Sequence, residues 1–383
     1  MRPVHLARAL AGAAMLVAGM AGLPGLAAAQ PPVPCNAAAL IAAINAVNNP
    51  AGGTLVLTPG CPYILTAPFG LTDDGLPPIQ GPVTIFGNNA AIVRSSGTDF
   101  RIAEVLGSGH LTIDRLTISG GSLPTSSGGG IAVQPGGALD VLDLSTIRNN
   151  TADFSGGIGN NAGTVHVTNS AIIGNRANQR GGGLANNGTL TISNSRVSGN
   201  TASAGGGLAN LGNATLTDAT VAANTANGAT EPAQGGGIFS FNGQLGLDHS
   251  VVAGNVATGP NAQGGGVSNT GGSTLTVNRT ALTNNTATGL GAQGGGLFNA
   301  NAATIHQGQI AGNSAAGPGA QGGGITNTGT ADLFNTAVVV NRASTAPGGI
   351  NNSGTLTLTA SLVAGNVPTN CAGSAVVPAG CIG

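Results

Sequence analysis

Aromatic and charged residues are scarce in this 383-residue sequence, which contains no Trp, one Tyr and 8 Phe. Charged residues make up 6% of the chain, and all 11 basic residues are Arg, so Lys is absent and the formal net charge is −1. A chain this neutral has no basic patch for nucleic acid, and it lacks the Glu, Lys and Arg content of a coiled coil. We therefore predict no nucleic-acid partner and no coiled-coil architecture.

Glycine is abundant instead, with 68 residues or about 18% of the chain, more than double its usual share of roughly 7%. The glycines come in clusters and not at every third position, which excludes a collagen helix. Hydrophobic residues make up 41% of the chain, too many for a chain kept disordered by charge. Small residues build a core when one short unit is stacked many times. The composition therefore favours a repeat protein.

The first 29 residues are typical of a secretory signal peptide. Arg2, His5 and Arg8 form a positively charged start, an apolar run covers 9–23, and Ala27–Ala29 offer a cleavage site. The alternative, an N-terminal membrane anchor, needs about 20 apolar residues, more than this run supplies. No later run is long enough to span a bilayer. We therefore expect a mature chain without a transmembrane segment, located outside the cell or at its surface.

Four cysteines lie near the two ends of the mature chain, which suggests disulfides in an oxidising compartment. Of the three possible connectivities, we favour Cys35–Cys61 and Cys371–Cys381, because an elongated stack would hold its two ends far apart. Each bridge would stabilise one end by roughly 2–3 kcal/mol. A zinc site is the competing interpretation, and the cysteines lack the close pairing that zinc ligands show.

The body of the chain is a repeat whose units each begin with a Gly cluster followed by an aliphatic residue. The last Gly of each cluster falls at positions 130, 157, 183, 207, 237, 266, 296, 324 and 349, a mean spacing of about 27 residues. Apolar residues alternate with Thr in stretches such as Thr189–Ile192, the period expected of a β-strand. Each unit predicts three short strands that make one coil. We predict an all-β, single-stranded right-handed parallel β-helix of about eleven or twelve coils over residues 53–368.

The Gly cluster with its aliphatic residue, followed by Asn, resembles the repeats of chlamydial-type polymorphic outer-membrane proteins. It is also similar to exported bacterial right-handed parallel β-helix proteins of the pectate-lyase-like superfold. The resemblance covers residues 53–368 and implies a bacterial, exported solenoid with a structural or adhesin-like role. This chain mostly lacks the Gly-Gly-Ala and Phe-x-x-Asn elements of the chlamydial repeats.

Both ends of a β-helix need covers, because an open coil exposes an unpaired strand edge. Residues 30–52 are expected to form an N-terminal cap with a short helix, which has Asn36 at its N-cap and Leu40 and Ile44 on one face. An amphipathic helix that binds a partner is the alternative. Residues 369–383 are expected to form the C-terminal cap.

One Asn lies three positions after the last Gly of most clusters. This column, called the asparagine ladder below, comprises Asn160, Asn186, Asn210, Asn269, Asn299, Asn327 and Asn352. Stacked amides hydrogen-bond along a solenoid, so we predict a structural role. A calcium site would need Asp in a Gly-Gly-x-Gly-x-Asp pattern, and the nearest match has Asn160 at that position. We therefore predict no metal and no cofactor.

The repeat lengthens in four consecutive coils, and each insertion closes with Ala-Gln. The insertions are 225–234, 256–263, 286–293 and 314–321. The four closing residues, called the glutamine ridge below, are Gln234, Gln263, Gln293 and Gln321. Loops on a rigid scaffold often carry binding sites, so we predict that this ridge contacts a glycan or a cell-surface macromolecule. Duplication of one coil together with its loop is the alternative explanation.

Catalysis is the main alternative function, because many parallel β-helix proteins cleave acidic polysaccharides. Eight of the 12 carboxylates lie between positions 73 and 153, and Asp73-Asp74 resembles the Asp pair of polygalacturonases. The companion Asn-Thr-Asp, Gly-His-Gly and Arg-Ile-Lys elements are missing, and aromatic residues for sugar stacking are few. We therefore predict a non-catalytic, monomeric binding protein. A polysaccharide lyase or glycoside hydrolase that uses Asp73 and Asp74 is the alternative, and a groove with converging carboxylates would favour it.

Overall fold

The computed structural model describes residues 31–228 and 232–383. The predicted signal peptide, residues 1–29, lies outside the described residues. Within them, one α-helix is followed by 41 short β-strands that form three sheets. No helix in this part of the chain is long and apolar enough to cross a membrane.

The helix spans Ala37–Val47 and lies against the first strands. Its N-cap is Asn36, whose Oδ1 accepts a hydrogen bond from the Ala39 backbone N–H at 2.8 Å. Such a cap satisfies one of the N–H groups that the first turn of a helix leaves unpaired. Leu40 and Ile44 are fully buried, so the apolar face of the helix covers the first turn of the solenoid.

The three sheets run along the solenoid, and strands of successive turns pair in parallel register. The 22-stranded sheet comprises Gly53–Val56, Pro62–Leu65, Pro82–Arg94, His110–Ser119, Ala138–Leu142, Thr146–Arg148, Thr164–Thr168, Ala171–Ile173, Thr189–Ser193, Arg196–Ser198, Asn213–Thr217, Thr220–Ala222, Gln244–Asp248, Val251–Ala253, Thr274–Asn278, Ala281–Thr283, Ala302–His306, Gln309–Ala311, Thr330–Phe334, Ala337–Val339, Thr355–Thr359 and Leu362–Ala364. The ten-stranded sheet comprises Ala103–Val105, Ile131–Val133, Ile158–Asn160, Leu184–Asn186, Leu208–Asn210, Ile238–Phe241, Val267–Thr270, Leu297–Asn299, Ile325–Asn327 and Ile350–Asn352. The nine-stranded sheet comprises Ser122–Ser127, Thr151–Phe154, Arg176–Ala177, Thr201–Ala202, Thr225–Asn227, Val256–Thr258, Thr286–Thr288, Ser314–Ala316 and Arg342–Ala343.

One regular turn contains four strands, so the prediction of three strands per unit was wrong. Leu184–Asn186 belongs to the ten-stranded sheet, and Thr189–Ser193 and Arg196–Ser198 both belong to the 22-stranded sheet. The fourth strand, Thr201–Ala202, follows the second Asn of the unit and belongs to the nine-stranded sheet. A strand of two or three residues is too short to show an alternating pattern, which is why the sequence does not reveal it.

The core is a stack of small aliphatic side chains that point into the solenoid. In the same turn, Leu184, Leu190, Ile192 and Val197 are each at most 1% exposed, while the Thr residues between them face outward. Identical inward positions of successive turns stack on one another, so apolar surface is buried without large aromatic residues. The predicted right-handed parallel β-helix is confirmed, with about eleven turns.

Steric crowding explains the Gly clusters. A Cβ atom added at Gly182 would lie 2.4 Å from the Gly206 carbonyl oxygen and 2.5 Å from the Thr201 carbonyl oxygen. Gly181 has φ +68°, a backbone conformation that residues with a side chain adopt only with strain. The clusters therefore mark a corner where adjacent turns approach too closely for any side chain.

Both predicted disulfides are confirmed. Cys35 pairs with Cys61, with Cα atoms 5.7 Å apart, and Cys371 pairs with Cys381, with Cα atoms 6.2 Å apart. The first bridge ties the segment before the helix to the first turn. The second bridge closes a short loop after the last turn.

The two ends of the solenoid are covered to different extents. At the N-terminal end, the inward side chains Leu55 and Leu57 are at most 2% exposed beneath the helix. At the other end, the last strands of the 22-stranded sheet, Thr355–Thr359 and Leu362–Ala364, are called the C-terminal edge below. Their burial falls well short of that of the strands in the preceding turn.

Candidate functional site

The asparagine ladder lies inside the solenoid, at the corner after the ten-stranded sheet. Asn160 Nδ2 donates to Asn186 Oδ1 at 2.7 Å, and Asn186 Nδ2 donates to Asn210 Oδ1 at 2.9 Å. Ser240 replaces Asn in the next turn, and the chain of amides resumes from Asn269 to Asn352. Because each residue is at most 3% exposed and bonded to its neighbours, these side chains join adjacent turns, and Asn160 and Asn186 also lie against the groove described below.

A second, longer ladder lies at the corner before the nine-stranded sheet. Its members are Asn150, Asn175, Asn200, Asn224, Asn255, Asn285, Asn313, Asn341 and Asn366. In a typical step, the backbone N–H and Nδ2 of Asn255 both donate to Asn285 Oδ1, at 3.0 and 2.9 Å, and Nδ2 also donates to the Val221 carbonyl oxygen at 2.9 Å. In the sequence, Gly directly precedes five of these residues: Asn175, Asn200, Asn255, Asn313 and Asn366. This recurring Gly-Asn pair is the signal from which the second ladder could have been predicted.

The glutamine ridge forms a third row of stacked residues. Backbone bridges connect Gln234 to Gln263, Gln263 to Gln293, and Gln293 to Gln321. Gln234 Nε2 donates to Gln263 Oε1 at 3.0 Å, and Gln321 Nε2 donates to the Ala346 carbonyl oxygen at 2.7 Å. All four side chains are half-buried, so part of their amide surface is already used within the protein.

A small separate core of alanines lies beneath the insertions that precede the ridge. It comprises Ala226, Ala233, Ala257, Ala262, Ala287, Ala292, Ala315, Ala320 and Ala343. The Ala of each closing Ala-Gln pair is therefore buried, while the Gln lies at the surface. This core packs the described parts of the four insertions against one another.

The carboxylates between positions 73 and 153 are mostly scattered over the surface. Asp73 is exposed, whereas its neighbour Asp74 is 3% exposed, so the two carboxyl groups lie in different surroundings. Several of the others pair locally: Arg115 Nε donates to Asp114 Oδ1 at 2.9 Å, and His110 Nε2 lies 2.6 Å from Asp140 Oδ2. Asp74 and Glu104, however, converge on one arginine.

Asp74, Arg101 and Glu104 form a compact group, called the acid cluster below. Asp74 and Arg101 are bridged through their backbones, and Arg101 Nε lies 3.1 Å from Asp74 Oδ1. The N–H is not directed at that oxygen, and neither atom has a hydrogen-bond partner among the described residues. Arg101 Nη1 donates to Glu104 Oε1 at 3.4 Å, and Gln134 Nε2 donates to the same oxygen at 2.5 Å.

The acid cluster changes the acidity of Asp74. Burial raises the pKa of Asp74 from its ordinary value of 3.8 to about 7, because the ionised form loses its hydration. The positive charge of Arg101 opposes this rise in pKa, and the negative charges of Glu104 and Asp73 add to it. Asp74 is thus largely protonated below neutral pH, when an ordinary Asp carboxyl is ionised.

A groove of about 310 Å³ runs over the outer face of the ten-stranded sheet, beginning at Arg101. Its floor consists of the outward residues Ala132, Gly159 and Ala185, which are register partners in successive turns. The walls come from the neighbouring strands and corners. They comprise Ser126, Ser127, Gln134, Phe154, Ser155, Asn161, Asn187 and Leu211.

The groove lies over early turns, where the outward position is Ala132, Gly159, Ala185 and Ala209 in succession. In the turn after Ala209, the same outward position is Phe239, and Phe298 occupies it two turns later. In the sequence, this outward position is the residue between the aliphatic residue and the Asn of each unit, such as Ala185 between Leu184 and Asn186. Its size could have indicated where a groove forms. Most of the wall side chains carry a hydroxyl or an amide group, and no carboxylate side chain lines the groove.

The acid cluster therefore lies at one end of the groove and not across it, because Glu104 is the register partner of the floor residue Ala132 in the preceding turn. Arg101 is the member that reaches the groove, and Gln134 joins Glu104 to the groove wall. The described residues hold no group of three or more His, Cys, Asp or Glu side chains arranged to bind a metal ion.

Comparison with known proteins supports the fold. The family model described as "Right handed beta helix region" matches residues 101–281, which include Arg101 and the groove. The searches of curated proteins and of solved structures found no match. The chain thus has a right-handed parallel β-helix fold, and a fold of this kind does not define an activity.

Proposed function

We propose that this protein is a secreted or cell-surface β-helix protein that binds a glycan or a glycan-bearing macromolecule without catalysis. The observation that carries the proposal is the groove, whose walls present hydroxyl and amide groups without a carboxylate. Amides and hydroxyls donate and accept hydrogen bonds at once, which suits the hydroxyl groups of a sugar. The volume of about 310 Å³ lies at the lower end of the range for small-molecule sites.

Export is supported by features away from the groove. Two disulfides fit an oxidising compartment, as do the signal-peptide pattern of the first 29 residues and the resemblance of the repeats to chlamydial-type surface proteins. A rigid solenoid held by buried ladders is also a suitable scaffold for a binding surface, because the groove residues are fixed before a ligand arrives.

Groove variants test this proposal. Ala185→Leu fills the floor, and Asn187→Ala removes an exposed amide from the wall; we expect each to weaken binding to any glycan recognised by the mature protein at least tenfold. Ser353→Ala, an exposed position at the corresponding corner of the last turn, is the matched control and should bind normally. Screening on a glycan array followed by calorimetry gives the affinities. Binding that survives both groove variants unchanged would remove the groove from the proposal.

The glutamine ridge is a second contact surface that the same experiment separates from the groove. The double variant Gln263→Ala, Gln293→Ala removes exposed amide groups while leaving the buried alanines below intact. If the ridge contacts the ligand, this variant weakens binding and the groove variants do not.

A polysaccharide lyase or glycoside hydrolase is the second candidate, favoured by one observation: the pKa of Asp74 is raised to about 7. Perturbed carboxyl groups of this kind are common in active sites. The placement of the carboxylates argues against it, because glycoside hydrolysis uses two carboxyl groups that flank the scissile bond, and neither Asp74 nor Glu104 lines the groove. Release of products from pectate or alginate by the wild-type protein, abolished by Asp74→Asn, would establish the enzyme and overturn the non-catalytic proposal.

A further inference from the structure

The C-terminal edge leaves part of the core uncovered. Inward-pointing Leu358 and Val363 are partly exposed, whereas their register partners in the preceding turn, Leu333 and Val338, are fully buried. At the N-terminal end, by contrast, the helix covers the first turn, and its inward side chains Leu55 and Leu57 are buried. The solenoid therefore has one sealed end and one open end.

The segment after the last turn covers only one side of the open end. Ser374 Oγ donates to the Ile350 carbonyl oxygen at 2.9 Å, and the Val376 N–H donates to the Asn352 carbonyl oxygen at 2.9 Å. These bonds hold the segment against the last strand of the ten-stranded sheet. The C-terminal edge pairs with the preceding turn alone among the described residues, so its other row of backbone N–H and C=O groups is free to pair.

Exposed apolar side chains accompany this free backbone. Leu362 is 58% exposed, and Val376 and Val377 of the covering segment are 50% and 52% exposed. A solvent-exposed strand edge is normally protected by charged residues, by Pro or by a covering element. The strands of the C-terminal edge contain neither charge nor Pro, so this edge has the features of a pairing surface.

The charge distribution indicates what occupies the surface. No charged side chain occurs anywhere between positions 343 and 383. A partner that is recognised through charge would find no complement here, while two copies of the same neutral, apolar end meet without electrostatic repulsion. Such a self-complementary contact is the usual form of a two-fold symmetric dimer.

We propose that two copies of this protein associate through their C-terminal edges. A two-fold axis perpendicular to the 22-stranded sheet keeps the inward faces of both copies on the same side, so the two cores join. Thr355–Thr359 of each copy then pairs antiparallel with its equivalent, and the partly exposed Leu358 of both copies becomes buried. The arrangement replaces the monomer that the sequence suggested.

Sedimentation velocity of the mature protein over a range of concentrations tests the proposal. We expect a monomer–dimer equilibrium, which Leu358→Arg shifts toward monomer with at least a hundredfold higher dissociation constant. Thr164→Arg, an outward position of the same sheet far from the edge, should leave the equilibrium unchanged. Monomer at every concentration, or dimer that persists in a folded Leu358→Arg variant, would overturn the proposal.

Hydrogen exchange provides a readout that does not depend on a variant. Backbone N–H groups of Thr355–Thr359 that point away from the preceding turn should become protected as the concentration rises through the dimer range. Protection that is independent of concentration would contradict the proposed contact, even if a dimer forms elsewhere on the molecule.

Discussion

Replacing Asp74 by Asn should change how the stability of the protein depends on pH. Below pH 3.8 the Asp74 carboxyl is protonated in both the folded and the unfolded chain. Between pH 3.8 and about 7 the folded protein retains a proton that the unfolded chain has released, so raising the pH favours unfolding. Above pH 7 the carboxyl is ionised in both states, and the accumulated loss of stability stays constant.

The size of the effect follows from the two pKa values. The folded value of about 7 and the ordinary value of 3.8 differ by roughly three units, each worth about 1.4 kcal/mol. The wild-type protein should therefore lose up to about 4 kcal/mol of unfolding free energy between pH 4 and pH 8 from this one group. Asp74→Asn lacks this contribution, and groups that do not interact with Asp74 titrate alike in both proteins.

The single tyrosine makes the measurement local. Tyr63 is fully buried in the early turns, and its hydroxyl donates to the Val33 carbonyl oxygen at 2.6 Å; with no Trp in the chain, its fluorescence reports on the region that contains Asp74. Urea unfolding followed by this signal at pH 4, 5.5, 7 and 8 gives the difference in unfolding free energy between variant and wild type.

We expect the unfolding free energy of Asp74→Asn, relative to that of the wild type, to rise with pH by about 4 kcal/mol over the whole range. The rise should level off above pH 7. Difference values that stay constant from pH 4 to pH 8 would show that Asp74 ionises normally in the folded protein. In that case burial would not outweigh the attraction of Arg101 in setting the pKa of Asp74.

Three further pairs of variants test the scaffold, each by urea unfolding. Asn255→Ala removes the acceptor of the Asn224 backbone N–H and Nδ2 and the donor to the Val221 carbonyl oxygen, and it should cost about 3 kcal/mol or more. Asn187→Ala at an exposed corner should cost little; equal effects would contradict the ladder's role. Removing Cys35–Cys61, which closes a 26-residue separation, should cost about 3 kcal/mol and more than removing Cys371–Cys381, separated by 10. Gly236→Ala should prevent normal packing, since its Cβ would lie 2.4 Å from a neighbouring carbonyl oxygen. Gly246→Ala, with no atom nearer than 3.9 Å, should instead stabilise the protein by about 0.5–1 kcal/mol. A tolerated Gly236→Ala would refute the steric explanation of the clusters.

The fold could be predicted from the sequence because the same constraints recur in every turn. Gly at a crowded corner and alternating Thr and aliphatic residues in the longer strand are each repeated many times. A feature made of two residues, such as the strand Thr201–Ala202, has no internal pattern and was missed. This strand is recognised only in the structure, where Thr201 and Ala202 pair with Thr225 and Ala226 of the next turn.

The acid cluster could not be predicted for a different reason. Asp74 and Arg101 come from the irregular part of the chain before the first Gly cluster, where the turn length is not fixed by the repeat. Their proximity depends on the register of two loops, which a single sequence does not specify. The adjacent Asp73-Asp74 pair was the signal visible in the sequence, and it does not reveal that Asp73 is exposed while Asp74 is buried beside Arg101.

The second asparagine ladder has a consequence for how the length of this protein can change. Its steps join residues 24 to 31 positions apart, yet each step has the same hydrogen bonds, because the extra residues lie in the insertions and not in the ladder. Deleting residues 256–285 would join Asn255 to Thr286 and place Asn255 directly below Asn313, with every inward position still matched. The molecule is therefore modular: whole turns can be gained or lost, and the chain lengthened or shortened, without redesigning the turns that remain.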